Sequence, residues 1–345
     1  MKGLKFLIVA VILAVIAFSY WVYSSLHTPN AHDKGNQYIQ IQHGSSPGQI
    51  LAKLAAEGII SSQTPLKIYM KVTGTGNEMQ AGEYQFDSPI TPLEVLEKLR
   101  KGKLRTVKLI VPEGFTRFDI AKRIVGEFPQ NKPAGEDSVL DLMNDNSLIK
   151  DIAPEAKSLE GYMYPNTYDF PRAVNTEAIL KKMVEEFRKV WKPEYASRAA
   201  KLKLTSHQVI TIASLIETES RLDEERPVVA SVIYNRLKKG MPLGIDQTAV
   251  YIAKMEHRWD GVINRSDLES ASPYNTRKVV GLPPGPISSV SKSSIKAALY
   301  PASTNYIYYV LNVEKNDKSH NFYSSAADFE RGKAAYQAWL AKERK

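Results

Sequence analysis

Between Lys5 and Asp33 the chain carries no Asp, Glu, Lys or Arg, and Phe6 to Phe18 is an unbroken apolar run. Ser19-Tyr20-Trp21-Val22-Tyr23 continues it. About 20 apolar residues is the length a helix needs to cross the hydrocarbon core of a bilayer. Lys2 and Lys5 on its N-terminal side favour a cytoplasmic N-terminus, and the aromatic residues suit the opposite interface. Residues 1–27 are therefore expected to form a cytoplasmic tip and a single transmembrane anchor. The alternative is a cleaved signal peptide, because Ala17-Phe18-Ser19 has a small-x-small pattern, although bulky aromatic residues follow it directly. On either reading everything beyond about residue 25 lies outside the cytoplasm.

At 345 residues the chain is long enough for about two domains. Its net charge of +9 fits anionic headgroups, a wall polymer or nucleic acid. No C-x-x-C, RNA-recognition signature or dense Arg/Lys helix occurs, so no nucleic-acid partner is expected. Cysteine is absent, which removes disulfides and thiolate metal sites. His257 and His320 lack metal-ligand spacing. Neither a metal nor a cofactor is expected.

The spacing predicts an α+β chain beyond the anchor. Residues 28–37 are polar and read as a linker. Across residues 38–125 a strand followed by a capped helix recurs three times. Tyr38–Gln42 alternates apolar and polar residues, and Ser46-Pro47 then opens a helix that closes at Gly58. Tyr84–Phe86 precedes a helix from Thr91 to Leu99, and Val107–Val111 precedes one that starts at Thr116. Such a layout resembles small glycan-binding modules of the LysM kind; the alternative is a small α+β spacer. Residues 126–345 are expected to hold an irregular connector at 129–158, a helix at 176–191, two strong helices, a loop-rich middle, a buried strand at Ile307–Leu311 and a final helix from Asp328.

Chemistry concentrates in Thr205–Ser220. Thr205 and Gln208 form a capping box. Val209, Ile212, Ala213 and Ile216 define an apolar stripe that leads to Glu219 and Ser220, whereas Glu217 lies about 160° round the helix from Glu219. Partial desolvation near a helix end would keep Glu219 protonated, as a general acid requires. A salt bridge to Arg221 or Arg226 is the structural alternative. Glu217 is the rival acid, or a supporting carboxylate.

Ile-Glu-Thr-Glu-Ser-Arg at 216–221, followed by Glu225-Arg226-Pro227 through Asn235-Arg236-Leu237, resembles the YceG-like endolytic murein transglycosylase family (MltG). Further matches are Leu159-Glu160-Gly161-Tyr162, Gly240-Met241-Pro242-Leu243 with Asp246-Gln247-Thr248 and Tyr251, Ser272–Thr276, Gly281-Leu282-Pro283-Pro284-Gly285-Pro286-Ile287, and His320-Asn321-Phe322. The chain departs from the pattern at Thr218, where relatives often carry lysine. The resemblance covers nearly the whole chain. It implies a mixed α+β catalytic domain on the extracytoplasmic side of a bacterial inner membrane, with Glu219 as the catalytic acid/base. The implied reaction cleaves MurNAc-β-1,4-GlcNAc bonds within peptidoglycan strands to leave 1,6-anhydroMurNAc ends, terminating nascent strands, and peptidoglycan synthases are implied as partners. Tyr274 and Asn275 are candidates to hold an N-acetyl group, and Asp246, Gln247, Thr248 and Tyr251 to bind sugar. Glu217, Ser220 and Glu160 are possible support. The alternatives are a muramidase-type hydrolase that pairs Glu219 with Asp246 or Glu217, and a non-catalytic wall-binding scaffold.

Overall fold

The computed structural model describes residues 2–42, 44–102, 106–128, 135–172, 174–315 and 317–343. The first part of the expected connector, residues 129–134, and the last two residues of the expected final helix lie outside them. The chain forms two compact units, Met1–Val107 with Phe170–Ala173, and Lys108–Asp169 with Val174–Lys345.

In the first unit the elements are α1 (Lys2–His27), β1 (Tyr38–Ile41), α2 (Pro47–Ala56), α3 (Thr64–Thr73), β2 (Gly82–Gln85) and α4 (Pro92–Lys101). The Gly3–His27 part of α1 is long and apolar enough to cross a membrane. Its last turns do not stand free: Leu26 is buried in a core with Leu51, Leu54, Leu66, Phe86 and Leu99. Residues 28–37 are also tied down. Asn30 bridges Ile90, and its side-chain amide donates to the carbonyls of Gly58 (2.7 Å) and Ile59 (3.2 Å). β1 runs antiparallel to β2, with Ile39 opposite Tyr84 and Ile41 opposite Gly82. Ile39 and Ile41 point into the core while Tyr38 and Gln40 face out, as a half-buried strand requires.

Ser46 and Gln49, and likewise Thr91 and Glu94, make the reciprocal bonds of a capping box. The layout differs from a strand–helix repeat, because two helices separate β1 from β2. The additional helix α3 starts without a side-chain cap, with Pro65 in its first turn, and ends on left-handed Gly74.

Next come β3 (Thr106–Val111), α5 (Arg117–Glu127), α6 (Gly135–Met143), β4 (Asn166–Pro171), α7 (Thr176–Val190), α8 (Pro193–Lys201), α9 (Ser206–Glu219), α10 (Arg226–Lys238), α11 (Gln247–Met255), α12 (Arg265–Leu268), α13 (Lys292–Leu299), β5 (Tyr308–Leu311), β6 (His320–Tyr323) and α14 (Ala326–Glu343). β3 pairs with β4, and β5 pairs antiparallel with β6. The strand expected to be buried at 307–311 is half-buried, because it belongs to a two-stranded hairpin with α14 packed against it.

The second unit is built round α9, which packs against α8, α10, α11 and α13. Every residue from Val209 to Glu217 is buried. The apolar stripe read from the sequence is thus one side of a helix enclosed all round. Two loops close on it. The Gly281–Ile287 segment is held by the Ile287 N–H donating to Ser214 Oγ (3.0 Å), and Pro284 O lies 3.1 Å from His207 Nε2. Against that loop sits Gly161, whose φ is +83°. A Cβ there would lie 2.6 Å from Pro286 Cβ and 2.8 Å from Ile210 Cγ2. Gly161→Ala adds left-handed backbone strain to overpacking and is expected to destabilise by about 3 kcal/mol, read as a lowered denaturation midpoint. A midpoint within error of wild type would contradict this packing.

Candidate active site

The last turn of α9 sends its two glutamates to opposite sides. Glu217 is buried and fully engaged. Its Oε1 lies 3.0 Å from Arg226 Nη2, and its Oε2 accepts from the N–H (2.7 Å) and the hydroxyl (2.6 Å) of Ser291, the N-cap of α13. Arg226 opens α10, so this carboxylate joins the ends of three helices. Its two oxygens are taken up by Arg226 and Ser291, the surroundings of a structural carboxylate. Ser220 is likewise internal: it caps α9 and donates to Leu222 O (2.9 Å).

Glu219 is half-buried, and its Oε2 accepts one hydrogen bond, from Tyr309 Oη of β5 at 2.6 Å. Removal from water pushes its pKa up, Tyr309 opposes that shift, nearby Asp246 adds to it, and His320 and Arg236 oppose it. The expectation that Glu219 alone follows the core-facing stripe needs correcting, since Glu217 is the more buried of the two. What the 160° separation does decide is that they enter different environments.

Sequence reasoning missed most of this surrounding shell. Tyr309 and His320 are diagonal neighbours on one face of the β5–β6 hairpin, where Tyr309 pairs with Phe322 and Leu311 with His320. Their rings meet edge-on at 5.4 Å. Glu225 grips His320 with both carboxylate oxygens, one on its backbone N–H and one on Nδ1, each at 2.8 Å. Arg236 donates to Ile307 O (2.6 Å) and lies over the Tyr308 ring. The available signal was the period of two in Tyr308-Tyr309, which puts those rings on opposite faces.

The sequence-predicted binding residues divide into two groups. Asp246 is exposed, pairs with Arg277 and lies within electrostatic reach of Glu219; Gln247 is half-buried beside it. Thr248 is buried and shares hydrogen bonds with Ile245 O (2.7 Å) and Thr276 Oγ1 (3.1 Å). The Asn275 side chain is fully buried, with its amide donating to Leu268 O and Ser270 O, so it shapes its loop from within. Tyr251 is buried between Phe118 and Tyr274, and no ring face remains on which a sugar can stack. With Glu160 these tyrosines form a second cluster. Glu160 is buried, its Oε2 accepts the Arg117 N–H (2.9 Å), and the Tyr251 hydroxyl acts on the same carboxyl. Among the described residues no group of His, Asp and Glu has a metal-holding arrangement.

Burial pushes the Glu160 pKa from 4.5 to about 7. A raised carboxyl binds its proton more tightly in the folded state, so its stabilisation is complete below pH 4.5 and is lost as pH rises to about 7. This group should cost roughly 3 kcal/mol across that window, at 1.36 kcal/mol per pKa unit. Glu160→Gln should remove that slope from denaturation midpoints measured against pH; an unchanged slope would rule the assignment out. Glu217→Ala takes from Arg226 its one buried carboxylate partner and leaves it the more exposed Asp223 (3.2 Å) and Glu113 (3.7 Å); it should cost about 3 kcal/mol in the same assay, and a loss below about 1 kcal/mol would refute a structural role.

The YceG-like family model matches residues 39–335. The endolytic murein transglycosylase of Bacillus subtilis is 34% identical over 288 residues, covering 79% of this chain and 78% of that protein. Its Streptococcus pneumoniae counterpart is 27% identical over 326 residues, which cover 86% of this chain and 58% of the longer pneumococcal protein. The crystal structure of a YceG-like protein from Listeria monocytogenes superposes with a TM-score of 0.56 at 32% identity, covering 85% of this chain and 98% of that one.

Proposed function

Because this chain belongs to the YceG-like family, we propose that it is a peptidoglycan lytic transglycosylase anchored in the bacterial inner membrane by α1, with Glu219 as its acid/base. The carrying observation is a single half-buried carboxyl at the end of α9, its pKa raised by burial and its Oε2 held by Tyr309. In the first half of the reaction Glu219 donates its proton to the glycosidic oxygen between MurNAc and GlcNAc as positive charge develops on the muramyl C1. The C1–O bond breaks and the GlcNAc hydroxyl leaves. In the second half the Glu219 carboxylate takes the proton of the muramyl 6-hydroxyl, whose oxygen bonds to C1 and closes the 1,6-anhydro ring. No water is consumed, and Glu219 ends protonated as it began.

One carboxyl suffices because the nucleophile belongs to the substrate and attacks intramolecularly. A hydrolase would need a second carboxylate placed to act on water. Glu217 is committed to Arg226 and Ser291, and Asp246 to Arg277. Tyr309 fixes the Oε2 side of Glu219, which leaves Oε1 as the oxygen that carries the reacting proton. Asp246, Gln247 and Tyr274 are the candidates to meet the sugars, with Thr248, Tyr251, Asn275 and Ser220 shaping the loops behind them.

The remaining assignments extend this reading. Residues 1–27 anchor the chain with the catalytic unit outside the cytoplasm, residues 28–37 connect, residues 38–125 form a LysM-like region, and residues 126–345 hold the connector and catalytic domain. Support for the LysM-like reading comes from the strand–helix–helix–strand order with β1 antiparallel to β2, and from a cavity of about 370 Å³ lined by Gln42, Gly44, Ser45, Gln49 and Lys53. Cutting within strands near the membrane suits a terminase of nascent glycan that works beside peptidoglycan synthases.

The test is digestion of purified glycan strands with mass spectrometry of the products. Wild type should yield anhydromuramyl ends, with activity falling as pH climbs through the raised pKa of Glu219. Glu219→Gln should lose at least about 100-fold in rate. Free reducing muramyl ends would overturn the transglycosylase assignment, and retained cleavage by the variant would remove Glu219 from the acid role.

A further inference from the structure

Among the described residues the β5–β6 hairpin pairs with no third strand, and isolated two-stranded hairpins are marginal in water. With α14 packed against it, its place beside α10 is fixed by side-chain attachments. At one end of α10, Asn235 donates its amide to Thr304 O and Tyr306 O, both at 2.9 Å, and Arg236 holds Ile307 O. At the other end the residue just before α10 is Glu225, which takes both the backbone N–H and Nδ1 of His320. The hairpin is thus pinned along α10 at points about 16 Å apart, from 11 residues at 1.5 Å rise. The attachments near 235–236 secure the strand leading into Tyr309. The Glu225 attachment secures the partner strand, whose His320 and Phe322 rings lie 5.4 and 6.0 Å from the Tyr309 ring and close two sides of it.

The geometry assigns to Glu225 and His320 the role of a positioning pair: by clamping β6 to the start of α10 they hold the Tyr309 hydroxyl on Glu219 Oε2. This rests on Glu219 being the acid. Neither Glu225 nor His320 makes a hydrogen bond to Glu219; they act through Tyr309 and its strand. The charged and titratable groups that face Glu219 are Tyr309 from β5, His320 from β6, Arg236 from α10 and Asp246 just before α11. Releasing the hairpin withdraws the Tyr309 hydrogen bond and the nearby His320 together. Both oppose the burial of Glu219, so their loss leaves its proton held more tightly. The alkaline limb of activity should then move to higher pH while proton donation weakens.

The experiment measures kcat and KM against pH on purified glycan strands, using the full chain in detergent. His320→Ala and Glu225→Gln should each lower kcat about tenfold, the order expected for a slightly misplaced catalytic group, with KM changed less than about twofold. In both variants the alkaline limb should shift upward, as it does in Tyr309→Phe. His320→Asn, whose amide nitrogen stands close to the place of Nδ1, should restore most of kcat and the original limb. The double variant Tyr309→Phe/His320→Ala should be no slower than Tyr309→Phe alone, because the clamp acts through that hydroxyl. Effects that add fully, or a kcat loss in both single variants with an unmoved limb, would overturn the proposal. If His320→Ala does not fold, Glu225→Gln and His320→Asn decide it by the same readouts. Glu219→Gln assayed alongside separates the two levels: an active Glu219→Gln sinks the acid assignment, whereas an inactive one beside an unaffected Glu225→Gln sinks only the clamp.

Discussion

A carboxylate and a guanidinium buried together at the meeting point of three helices hold the second unit in register. Glu217 reaches Arg226 at the start of α10 and both donors of Ser291 at the start of α13. Arg226 also donates to Ser294 Oγ (3.1 Å). Burying two charges is costly, and the cost is offset only where geometry and additional hydrogen bonds are good. Here the serines of the α13 cap provide those bonds. Fixing the last turn of α9 this way dictates where the next glutamate goes: two residues on, about 160° round the helix, Glu219 emerges on the side of the β5–β6 hairpin.

Two carboxylates within one helical turn therefore have different surroundings, which is what the proposed division of labour between them rests on. Glu217 has a full set of donors and an ion-pair partner. Glu219 has, among the described residues, one donor in Tyr309, and burial and the nearby Asp246 carboxylate push its pKa up, as the proposed acid role asks. Tyr309 makes the carboxyl asymmetric by engaging Oε2. The reaction proposed above, whose nucleophile is built into the substrate, asks for one carboxyl of this kind.

In the first unit the apolar helix and the small module behind it share a core. Leu26 is buried among residues of α2, α3 and α4, Val22 packs against the same cluster, and Asn30 ties the following segment to Ile90, Gly58 and Ile59. A segment that reads as a polar linker is thus held in place by backbone and amide hydrogen bonds. Short polar stretches carry no local signal for such attachments, since their partners lie 28 to 60 residues away in the chain.

Periodicity and capping alone were enough to identify the anchor-length helix, the capped helices at Ser46, Thr91, Thr116 and Thr205, the helix that became Thr176–Val190 and the separation of Glu217 from Glu219. Each depends on neighbours within a turn or two, which is where local sterics and hydrogen bonding act. The uncapped helix α3 and the short helices α8, α11, α12 and α13 left weaker local marks and took shape through packing. Only the tertiary structure decided that Glu217 is consumed by Arg226, that Tyr251 and Asn275 are closed inside, and that Tyr309 and His320 stand over Glu219. The donors that reach the two carboxylates from furthest off are Ser291, 74 positions from Glu217, and Tyr309, 90 positions from Glu219, and no local pattern encodes which distant donor arrives at which carboxylate oxygen. The sequence determined that one glutamate of the pair would face away from the other; packing determined that Glu217 meets Arg226 and Ser291 while Glu219 meets Tyr309 of the hairpin, because those partners come from distant parts of the chain.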